Sequence, residues 1–548
     1  MVCCGWFRRE KRTGHANGSF CSAISSITSR QAAVISIILT YQSKFNTYVP
    51  PLHIAEYYGI LFLIVLGGVV MLFFILIPIL LIIGITLTFL FMRNRVKTLP
   101  KLGGKLSPQT VHSSISQRAG DSLSLLIRCP TVSISEPDGD YIAFTALHRV
   151  LPYRYPHIFN TMTIETVNTH SLVLRWRGSI PNADPLLFCA HLDVVPAGED
   201  WQEDPFGGNR SGGNIYGRGA LDVKNILVCL LEAAESLIAE GFVPESDIYF
   251  AFGHDEEIGG QHGAGEIIKY FTQKNLRFAM VLDEGGFISA HRGQHIAEIG
   301  VAEKGIMNLN LRCRDKGGHA SMPPQQSALG RLSEALSRLE SCQPTPHLTP
   351  LTEDYFLTIA GMLTKRQRFA LANRAVMSRQ LMKALTVHPQ YNALLRTTAV
   401  ATMASSGQAH NVLPKVAEAT VNVRLLTGMS SHEYLAFAQR LTADLDVEMT
   451  MDKMKEPGIV SEYHDTTFDK LANAVRDTFG PITVAPYLMV GSTDANYYEP
   501  LSNHVYRFGP FAVTAAQRAT IHAADEYISE QSLGTAVLFY RTLMAQGW

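Results

Sequence analysis

The pattern of apolar and polar positions divides the chain into an apolar N-terminal stretch and a longer region of short alternating runs. Residues 57–92 carry no charged side chain and are almost wholly apolar, and about 20 apolar residues suffice to cross a bilayer. A cleaved signal peptide is shorter and lies closer to the first residue. We therefore predict one transmembrane helix at 57–92, between a tail at 1–56 and a linker at 93–106. A hairpin around Pro78 is the alternative for so long a run.

The region after the linker has the pattern of an α/β fold with a mostly parallel sheet. Short apolar runs separated by a helical pattern are typical of buried parallel strands joined by helices. The helical pattern covers Asn225–Glu240, where apolar residues recur at helical spacing. The apolar runs that we predict as buried strands are 185–190, 248–252 and 278–282.

Candidate catalytic residues stand where these elements begin or end. His191 and Asp193 follow the first run, and Glu256 and Glu257 follow the second. Asp222 stands just before the predicted helix. Functional side chains gather at the carboxyl ends of parallel strands, so we expect these residues to share one site. Imidazole and carboxylate ligands of this kind hold pairs of divalent ions that polarise a carbonyl group and activate water.

The spacing assigns roles within such a two-metal hydrolase site. Asp193 shares a strand face with His191, so its carboxylate can hydrogen-bond the second ring nitrogen of a metal-bound imidazole. Glu256 and Glu257 reach one site only if their strand ends before them, as the neighbouring glycines allow. One of the two would bind metal and the other would take a proton from water. The third run ends at Asp283-Glu284, which supplies a further ligand.

Four motifs of the chain resemble those of the M20 metallopeptidase family. The resemblance covers roughly residues 107–548 and, within the family, is greatest for the branch of vacuolar carboxypeptidase S and the secreted N-acyl amino acid hydrolases/synthases. The motifs are His191-Leu192-Asp193-Val194-Val195-Pro196, Gly217-Arg218-Gly219-Ala220-Leu221-Asp222, Asp255-Glu256-Glu257-Ile258-Gly259-Gly260 and Leu282-Asp283-Glu284-Gly285.

The resemblance implies two Zn²⁺ ions per chain and a role for each site residue. Asp222 would bridge the ions, Glu256 would be the general base, and Asp193 would orient the site. Glu284 stays open as an alternative to Asp283, because sequence alone does not separate two adjacent carboxylates. The remaining metal ligands that the resemblance implies are His191, Glu257, Asp283 and His522.

Further residues are implied as substrate contacts. His319 in Gly317-Gly318-His319 resembles a lid histidine that reaches the active site of the partner subunit, and Asn411 resembles a second contact. Arg424 resembles an arginine that pairs with a substrate carboxylate, for which a planar two-pronged donor is well suited. The family often has proline shortly after this arginine, whereas Thr427 stands here.

The resemblance also implies the domain organisation. A zinc-peptidase-type catalytic domain with a central, mostly parallel sheet would comprise 107–302 and 426–548. An inserted α+β lid would comprise 303–425, made longer and richer in helix by 351–395. The family lid often pairs two subunits, so we expect a homodimer formed through it.

Our leading prediction is a membrane-anchored, zinc-dependent metallopeptidase, a carboxypeptidase-like exopeptidase that hydrolyses an amide bond beside a free carboxylate. The alternative is an N-acyl amino acid hydrolase or synthase, because an anchor places the site near lipid-like substrates. A catalytically silent binding or scaffold protein on the same fold is a third hypothesis. The formal net charge of −1 argues against nucleic acid as a partner.

Two signals disagree about membrane orientation. Basic residues crowd the carboxyl flank of the apolar run between Arg93 and Lys105, which by the positive-inside rule places the enzyme in the cytosol. The resemblance implies a lumenal or extracellular enzyme, and the tail has a cytosolic character of its own, with basic residues near Cys3 and Cys4, two candidate palmitoylation sites. We predict a lumenal or extracellular catalytic domain. The sequon at Asn209 is compatible with that side.

Overall fold

The computed structural model describes residues 51–134, 141–291 and 293–548. Residues 1–50, which include the candidate palmitoylation sites Cys3 and Cys4, lie outside the described residues. The chain divides into two units, the first ending at Phe91 and the second running from Met92 to Trp548.

The described helices and strands alternate along most of the second unit. The helices are α1 (Pro51–Arg95), α2 (Ser113–Ile127), α3 (Ile142–Arg154), α4 (Pro156–Thr161), α5 (Lys224–Ala239), α6 (Ala264–Gln273), α7 (Ala328–Ser341), α8 (Pro350–Thr358), α9 (Lys365–Ala372), α10 (Arg374–Leu385), α11 (Pro389–Leu395), α12 (Ser431–Leu441), α13 (Thr466–Phe479), α14 (Ala495–Tyr498), α15 (Ala515–Arg518) and α16 (Glu530–Ala545). The strands are β1 (Thr163–Val167), β2 (Ser171–Trp176), β3 (Leu186–His191), β4 (Asn209–Ser211), β5 (Asn214–Tyr216), β6 (Ile248–Gly253), β7 (Met280–His291), β8 (Gln294–Glu303), β9 (Gly305–Arg314), β10 (Gly318–His319), β11 (Thr398–Ser406), β12 (Val412–Leu413), β13 (Val416–Leu425), β14 (Glu448–Lys455), β15 (Thr483–Met489), β16 (Val505–Val513) and β17 (Tyr527–Ser529).

The apolar N-terminal stretch forms one continuous helix. Helix α1 runs through Pro78 without interruption, so the hairpin alternative is not formed. The segment Glu56–Thr98 is long and apolar enough to cross a membrane, with a mean hydropathy of 3.3 in its most apolar window. The prediction of one long apolar helix is confirmed.

The catalytic core is a mixed sheet of eight strands in the order β1-β2-β6-β3-β7-β16-β8-β15. Its centre is parallel, because β3 pairs in parallel with both β6 and β7, and β16 with β7. Strands β3 and β6 are buried along their whole length, as expected for strands covered by helices on both faces. The predicted α/β fold with a mostly parallel sheet is confirmed. The candidate site lies at the carboxyl ends of β3 and β6 and beside Asp283 and Glu284 of β7, which continues to His291 instead of ending at 282.

A second, antiparallel sheet forms the lid, in the order β11-β13-β9-β14. Helices α7 and α12 cover it, and the apolar core between them includes Leu309, Leu332, Val421 and Tyr434. Strand β14, which follows the boundary predicted at 425, pairs with β9 in this sheet across more than 130 positions of the chain.

The helices α8 to α11, predicted as part of the lid, pack on the catalytic core instead. Leu351, Phe356, Leu371 and Leu381 belong to the same apolar cluster as the central sheet. In addition, the Tyr355 hydroxyl donates to a Glu298 carboxylate oxygen of β8 at 2.7 Å. These helices form an insert that is attached to the catalytic domain.

Candidate metal centre

His191, at the end of β3, lies beside two carboxylates, Asp222 from the loop before α5 and Glu284 from β7. The Nε2 atom of His191 lies 3.4 Å from Asp222 Oδ1 and 3.4 Å from Glu284 Oε1. Glu256 Oε2 lies 4.0 Å from the same nitrogen. Two sets of ligand atoms are each close enough together to hold one ion: His191 with Glu256 and Glu284, and His191 with Asp222 and Glu257. His191 is almost wholly buried.

A second group of ligands forms on the other side of Asp222. Nε2 of His522 lies 3.0 Å from Asp222 Oδ2 and 3.3 Å from Glu257 Oε2. Asp222 thus presents one carboxylate oxygen to each imidazole, which is the arrangement of a residue that bridges two ions. His522 reaches this position from a left-handed backbone conformation, with φ of 60°.

Adjacent glutamates reach one site because β6 ends before them. The strand stops at Gly253, and residues Glu256–Ile258 form a short 3-10 helix. The Asp255 carboxylate closes the turn by accepting the backbone N–H groups of His262 and Gly263 at 2.8 and 2.7 Å. The end of the strand removes the alternation that would have pointed Glu256 and Glu257 to opposite faces.

Asp193 lies behind these residues and contacts two parts of the site. Its two carboxylate oxygens accept the backbone N–H groups of Glu256 and Glu257 at 3.2 and 3.1 Å. Nδ1 of His191 lies 2.9 Å from the Asp193 carbonyl oxygen and 3.4 Å from a carboxylate oxygen. A hydrogen bond at Nδ1 fixes the ring so that Nε2 faces the site.

Of the two adjacent carboxylates on β7, Glu284 is the one beside His191. Successive side chains of a strand point to opposite faces, and Asp283 is buried on the face where its charge acts on Cys189 and Asp494. The Asp283 carboxylate also accepts the backbone N–H of Glu284 at 2.9 Å. Of the two residues that the sequence left open, Glu284 is the one whose carboxylate lies 3.4 Å from His191 Nε2.

Charge and hydrogen bonding at this site fit a cation-binding centre. Within the described residues, His191 Nε2 and Glu257 Oε1 are buried without a hydrogen-bond partner. Burial and the charge of Asp222 raise the pKa of Glu284 to about 8. Burial also raises the pKa of Glu256, against the attraction of His191. Buried carboxylates that repel one another in this way are stabilised by cations.

At the second group of ligands, hydrogen bonds decide the direction of the pKa shifts. Hydrogen bonds to Asp222 and Glu257 raise the pKa of His522 to about 10. Burial alone would raise the pKa of Asp222, but hydrogen bonds with His191 and His522 hold it below its ordinary value. These hydrogen bonds therefore favour the ionised form of Asp222.

Glu526 is a buried residue that the sequence patterns do not single out. Its carboxylate accepts the backbone N–H groups of Leu221 and Asp222 at 2.6 and 2.9 Å. It also forms an ion pair of 2.6 Å with Arg218 Nη1, and both side chains are buried. Glu526 lies in the same motif as His522, but nothing in a single sequence indicates which of its acidic residues is buried.

The site opens into a cavity of about 1210 Å³. Apolar side chains line much of it, including Ile226, Phe287, Ile306 and Met454. The basic side chains in its lining are Arg424, Lys453, Lys455 and Arg518.

The three predicted substrate contacts lie in different places. Arg424 lines the cavity, where burial lowers its pKa and Nε donates to the side-chain oxygen of Asn422 at 3.2 Å. His319 and Asn411 lie on the two-stranded β10–β12 ribbon of the lid, where Ala320 N–H donates to the Asn411 carbonyl at 3.0 Å. Among the described residues, neither of these two is part of the cavity lining.

Comparisons with known proteins agree with this architecture. Residues 187–546 match the model of peptidase family M20/M25/M40. The chain is 32% identical over 410 residues to probable carboxypeptidase S-like 2 of Dictyostelium discoideum, covering 73% of this chain and 79% of that protein. It is 32% identical over 508 residues to N-fatty-acyl-amino acid synthase/hydrolase PM20D1.1 of Danio rerio, covering 90% of this chain and 96% of that protein.

A solved structure shares the fold. The M20 family metallo-carboxypeptidase Sso-CP2 of Sulfolobus solfataricus superposes with a TM-score of 0.59 at 18% identity, covering 78% of this chain and 98% of that one. The family match spans well over half of the sequence and includes His191, Asp222, Glu256, Glu257, Glu284 and His522. The chain therefore belongs to peptidase family M20/M25/M40, whose members include metallopeptidases and amidohydrolases.

Proposed function

We propose that this enzyme is a metal-dependent amidohydrolase that cleaves N-acyl amino acids carrying an apolar acyl group. The observation that carries the proposal is the cavity of about 1210 Å³ beside the candidate metal centre. It combines a broad apolar wall with a small number of basic side chains, as an amphiphilic carboxylate requires. The similarity to an N-fatty-acyl-amino acid synthase/hydrolase supports the same substrate class.

We assign the ligands of two divalent ions, with zinc as the metal that the resemblance implies. One ion would be held by His191, Asp222 and Glu284, and the other by Asp222, Glu257 and His522. The support is the distances of 3.0 to 3.4 Å that join each imidazole to its two carboxylates. When bound, such ions polarise the substrate carbonyl and make water more acidic.

Glu256 is the proposed general base. Its carboxylate takes a proton from water, and the water oxygen forms a bond to the amide carbon. The carbon–nitrogen bond then breaks, and Glu256 returns the proton to the leaving nitrogen. The products are a fatty acid and an amino acid, so the single water accounts for all atoms. Burial raises the pKa of Glu256, which favours its uptake of a proton from water.

Arg424 is the proposed partner of the substrate carboxylate. Its guanidinium lies in the cavity wall, which also carries the basic side chains of Lys453, Lys455 and Arg518. A fixed carboxylate at Arg424 would orient the amide bond toward Glu256.

An exopeptidase with carboxypeptidase specificity is the second candidate. It shares the chemistry and the need for a free carboxylate, and the similarity to probable carboxypeptidase S-like 2 supports it. The two candidates differ in the group on the far side of the amide, which is a polar peptide in one and an apolar chain in the other.

The test is hydrolysis by the purified full-length chain of N-fatty-acyl amino acids and of N-blocked dipeptides, side by side. We expect a higher kcat/KM for the fatty-acyl substrates and a loss of turnover after chelation that added Zn²⁺ restores. Preference for the dipeptides would favour the exopeptidase. Chelator-resistant turnover would contradict the metal assignment, and turnover of neither substrate would favour the silent scaffold.

We further propose that helix α1 anchors the enzyme in a membrane, with the catalytic domain on the lumenal or extracellular side. The length and hydropathy of the helix support the anchor, and the family resemblance supports the orientation. The anchor predicts that the full chain stays with membranes after an alkaline carbonate wash.

Pairing of two chains through the lid is also proposed. His319 and Asn411 lie together on the exposed β10–β12 ribbon and outside the cavity lining of their own chain, so a second chain would have to receive them. Mixing inactive His319→Ala with inactive Glu256→Gln tests this. Recovered activity would support a shared site, and no recovery would count against it.

A further inference from the structure

We propose that a second, basic pocket beside the carboxyl end of helix α1 binds the phosphate group of an anionic phospholipid. This binding function is separate from hydrolysis, and it uses none of the residues that are assigned to hydrolysis. It rests on the anchor proposed above, because the bilayer is the source of the ligand.

The pocket has a volume of about 880 Å³ and a strongly positive lining. Glu353 is the single acidic residue among the described residues that line it, and it pairs with one of the cations, Arg374, at 2.5 Å. The cationic side chains of the lining are Arg95, Arg374, Arg379, Lys383 and Arg396.

Most of these cations have no carboxylate partner. Within the described part of the chain, Arg95, Arg379 and Lys383 form no ion pair. Arg379 and Lys383 lie one helical turn apart on α10. Arg396 Nε is buried without a hydrogen-bond partner. Arginine forks of this kind bind phosphate oxygens with two parallel hydrogen bonds. A bound phosphate would therefore accept hydrogen bonds from these unpaired cations. Its negative charge would also offset the repulsion among them.

The position of the pocket points to a lipid as the source of that phosphate. Arg95 lies three residues after Met92, the last residue of the uncharged run, which is about 5 Å along a helix axis. The Asn373 side chain donates to the Met92 carbonyl at 3.1 Å. Met92 is thus hydrogen-bonded to the insert that forms the pocket. Arg95 of the pocket lining follows the uncharged run by about one helical turn, where lipid headgroups would lie if that run spans a bilayer.

Exposed apolar side chains flank the same basic cluster. Val376 is 73% exposed and Val387 is 82% exposed, and they lie at the two ends of the segment that contains Arg379 and Lys383. Apolar side chains beside basic ones are typical of surfaces that rest on a bilayer.

The experiment uses the full-length chain in detergent, stripped of lipid and titrated with phosphatidylglycerol or phosphatidylcholine under native mass spectrometry. We expect one phosphatidylglycerol to bind per chain, and to bind more tightly than phosphatidylcholine. Arg379→Gln with Lys383→Gln should weaken this binding about tenfold or more, since each basic group near an anionic headgroup contributes substantially.

The matched control is Lys365→Gln with Arg366→Gln, which removes the same charge from exposed positions of α9 outside the pocket lining. It should bind phosphatidylglycerol within twofold of the wild type. Equal weakening in both double variants would overturn the proposal, because it would show general electrostatic attraction. Equal binding of the two lipids, or no retained lipid, would overturn it as well.

Two further measurements separate related explanations. Inorganic phosphate is added in competition, and displacement of the lipid at submillimolar concentration would overturn the proposal in favour of a soluble phosphate ligand. Hydrolysis of N-acyl amino acids by the pocket variant should equal that of the wild type. Retained hydrolysis with lost lipid binding supports the pocket, whereas an enzyme that binds the lipid but hydrolyses nothing contradicts only the proposed function.

Discussion

A carboxylate oxygen of Glu526 accepts the backbone N–H of Asp222 at 2.9 Å, so a buried acid fixes the residue that lies between the two imidazoles of the site. The same side chain is paired with Arg218, which is itself buried. The loop before α5 therefore has its position set by a residue more than 300 positions later in the chain. This contact makes Glu526 a positioning residue for Asp222.

Replacing Glu526 with Gln keeps the shape but removes the charge that pairs with Arg218. We expect the free energy of unfolding to fall by about 3 kcal/mol, because Arg218 becomes an unpaired buried charge. Metal affinity should fall about 10- to 100-fold, as for other residues that orient ligands. Denaturant unfolding and chelator competition measure the two effects. Glu530→Gln, which breaks the more exposed pair with Arg210, is the control and should change neither appreciably.

Glu256→Gln tests the general base. Turnover should fall by about a thousandfold or more, because the amide cannot take a proton from water. Metal content should stay at the wild-type value, since the proposed ligands are intact. Glu266→Gln, on the exposed face of α6, serves as the control and should retain full activity. Appreciable turnover by Glu256→Gln would remove this residue from the mechanism.

Adjacent positions on β7 offer a direct test of the ligand assignment. Glu284→Gln should lower the bound metal measured by elemental analysis, because its carboxylate lies 3.4 Å from His191 Nε2. Asp283→Asn should retain the metal, since Asp283 is buried on the opposite face of the strand. Loss of metal in Asp283→Asn together with retained metal in Glu284→Gln would instead identify Asp283 as the ligand, as the family resemblance implied.

The sequence predicted the elements of the site better than the direction of single side chains. Strands β3 and β6 and helix α5 begin and end within about two residues of their predicted bounds, because each is a compact apolar or helical pattern. The choice between Asp283 and Glu284 depends on which face of β7 meets the site, and that is set by pairing with distant strands. The burial of Glu526 is likewise a property of the folded chain alone.

The domain to which a segment belongs also depends on contacts that the local sequence does not show. Residues 431–455 belong to the lid because β14 pairs with β9, and 350–395 pack on the catalytic core because their apolar faces meet β8 and β15. Neither contact leaves a local signal in the sequence. Patterns over ten or twenty residues predict elements, but which sheet an element joins is decided by contacts far along the chain.

Arg424→Ala tests recognition of the substrate carboxylate. We expect KM for an N-acyl amino acid to rise about 10- to 100-fold, the range for losing a hydrogen-bonded charge pair. Arg424→Lys should recover only part of this loss, because an ammonium lacks the two-pronged geometry. The matched substrate has a carboxamide in place of the carboxylate, and its turnover should be equal in wild type and variant. A loss that is equal for both substrates would indicate a structural role for Arg424.

Orientation in the membrane can be measured at Asn209, which begins β4 in the sequon Asn209-Arg210-Ser211. A lumenal or extracellular domain exposes this sequon to glycosylation, so we expect an endoglycosidase-sensitive mass shift in the full-length chain. Ser211→Ala should abolish the shift without disturbing the hydrogen bond from Asn209 to Glu203, and Asn209→Gln should do the same. The basic flank of α1 favours the cytosol by the positive-inside rule, but Arg95 lines the proposed phosphate pocket, so its charge has a use besides setting topology. A chain that carries no glycan at Asn209 and none at a sequon added at the exposed tip of the lid would place the catalytic domain in the cytosol.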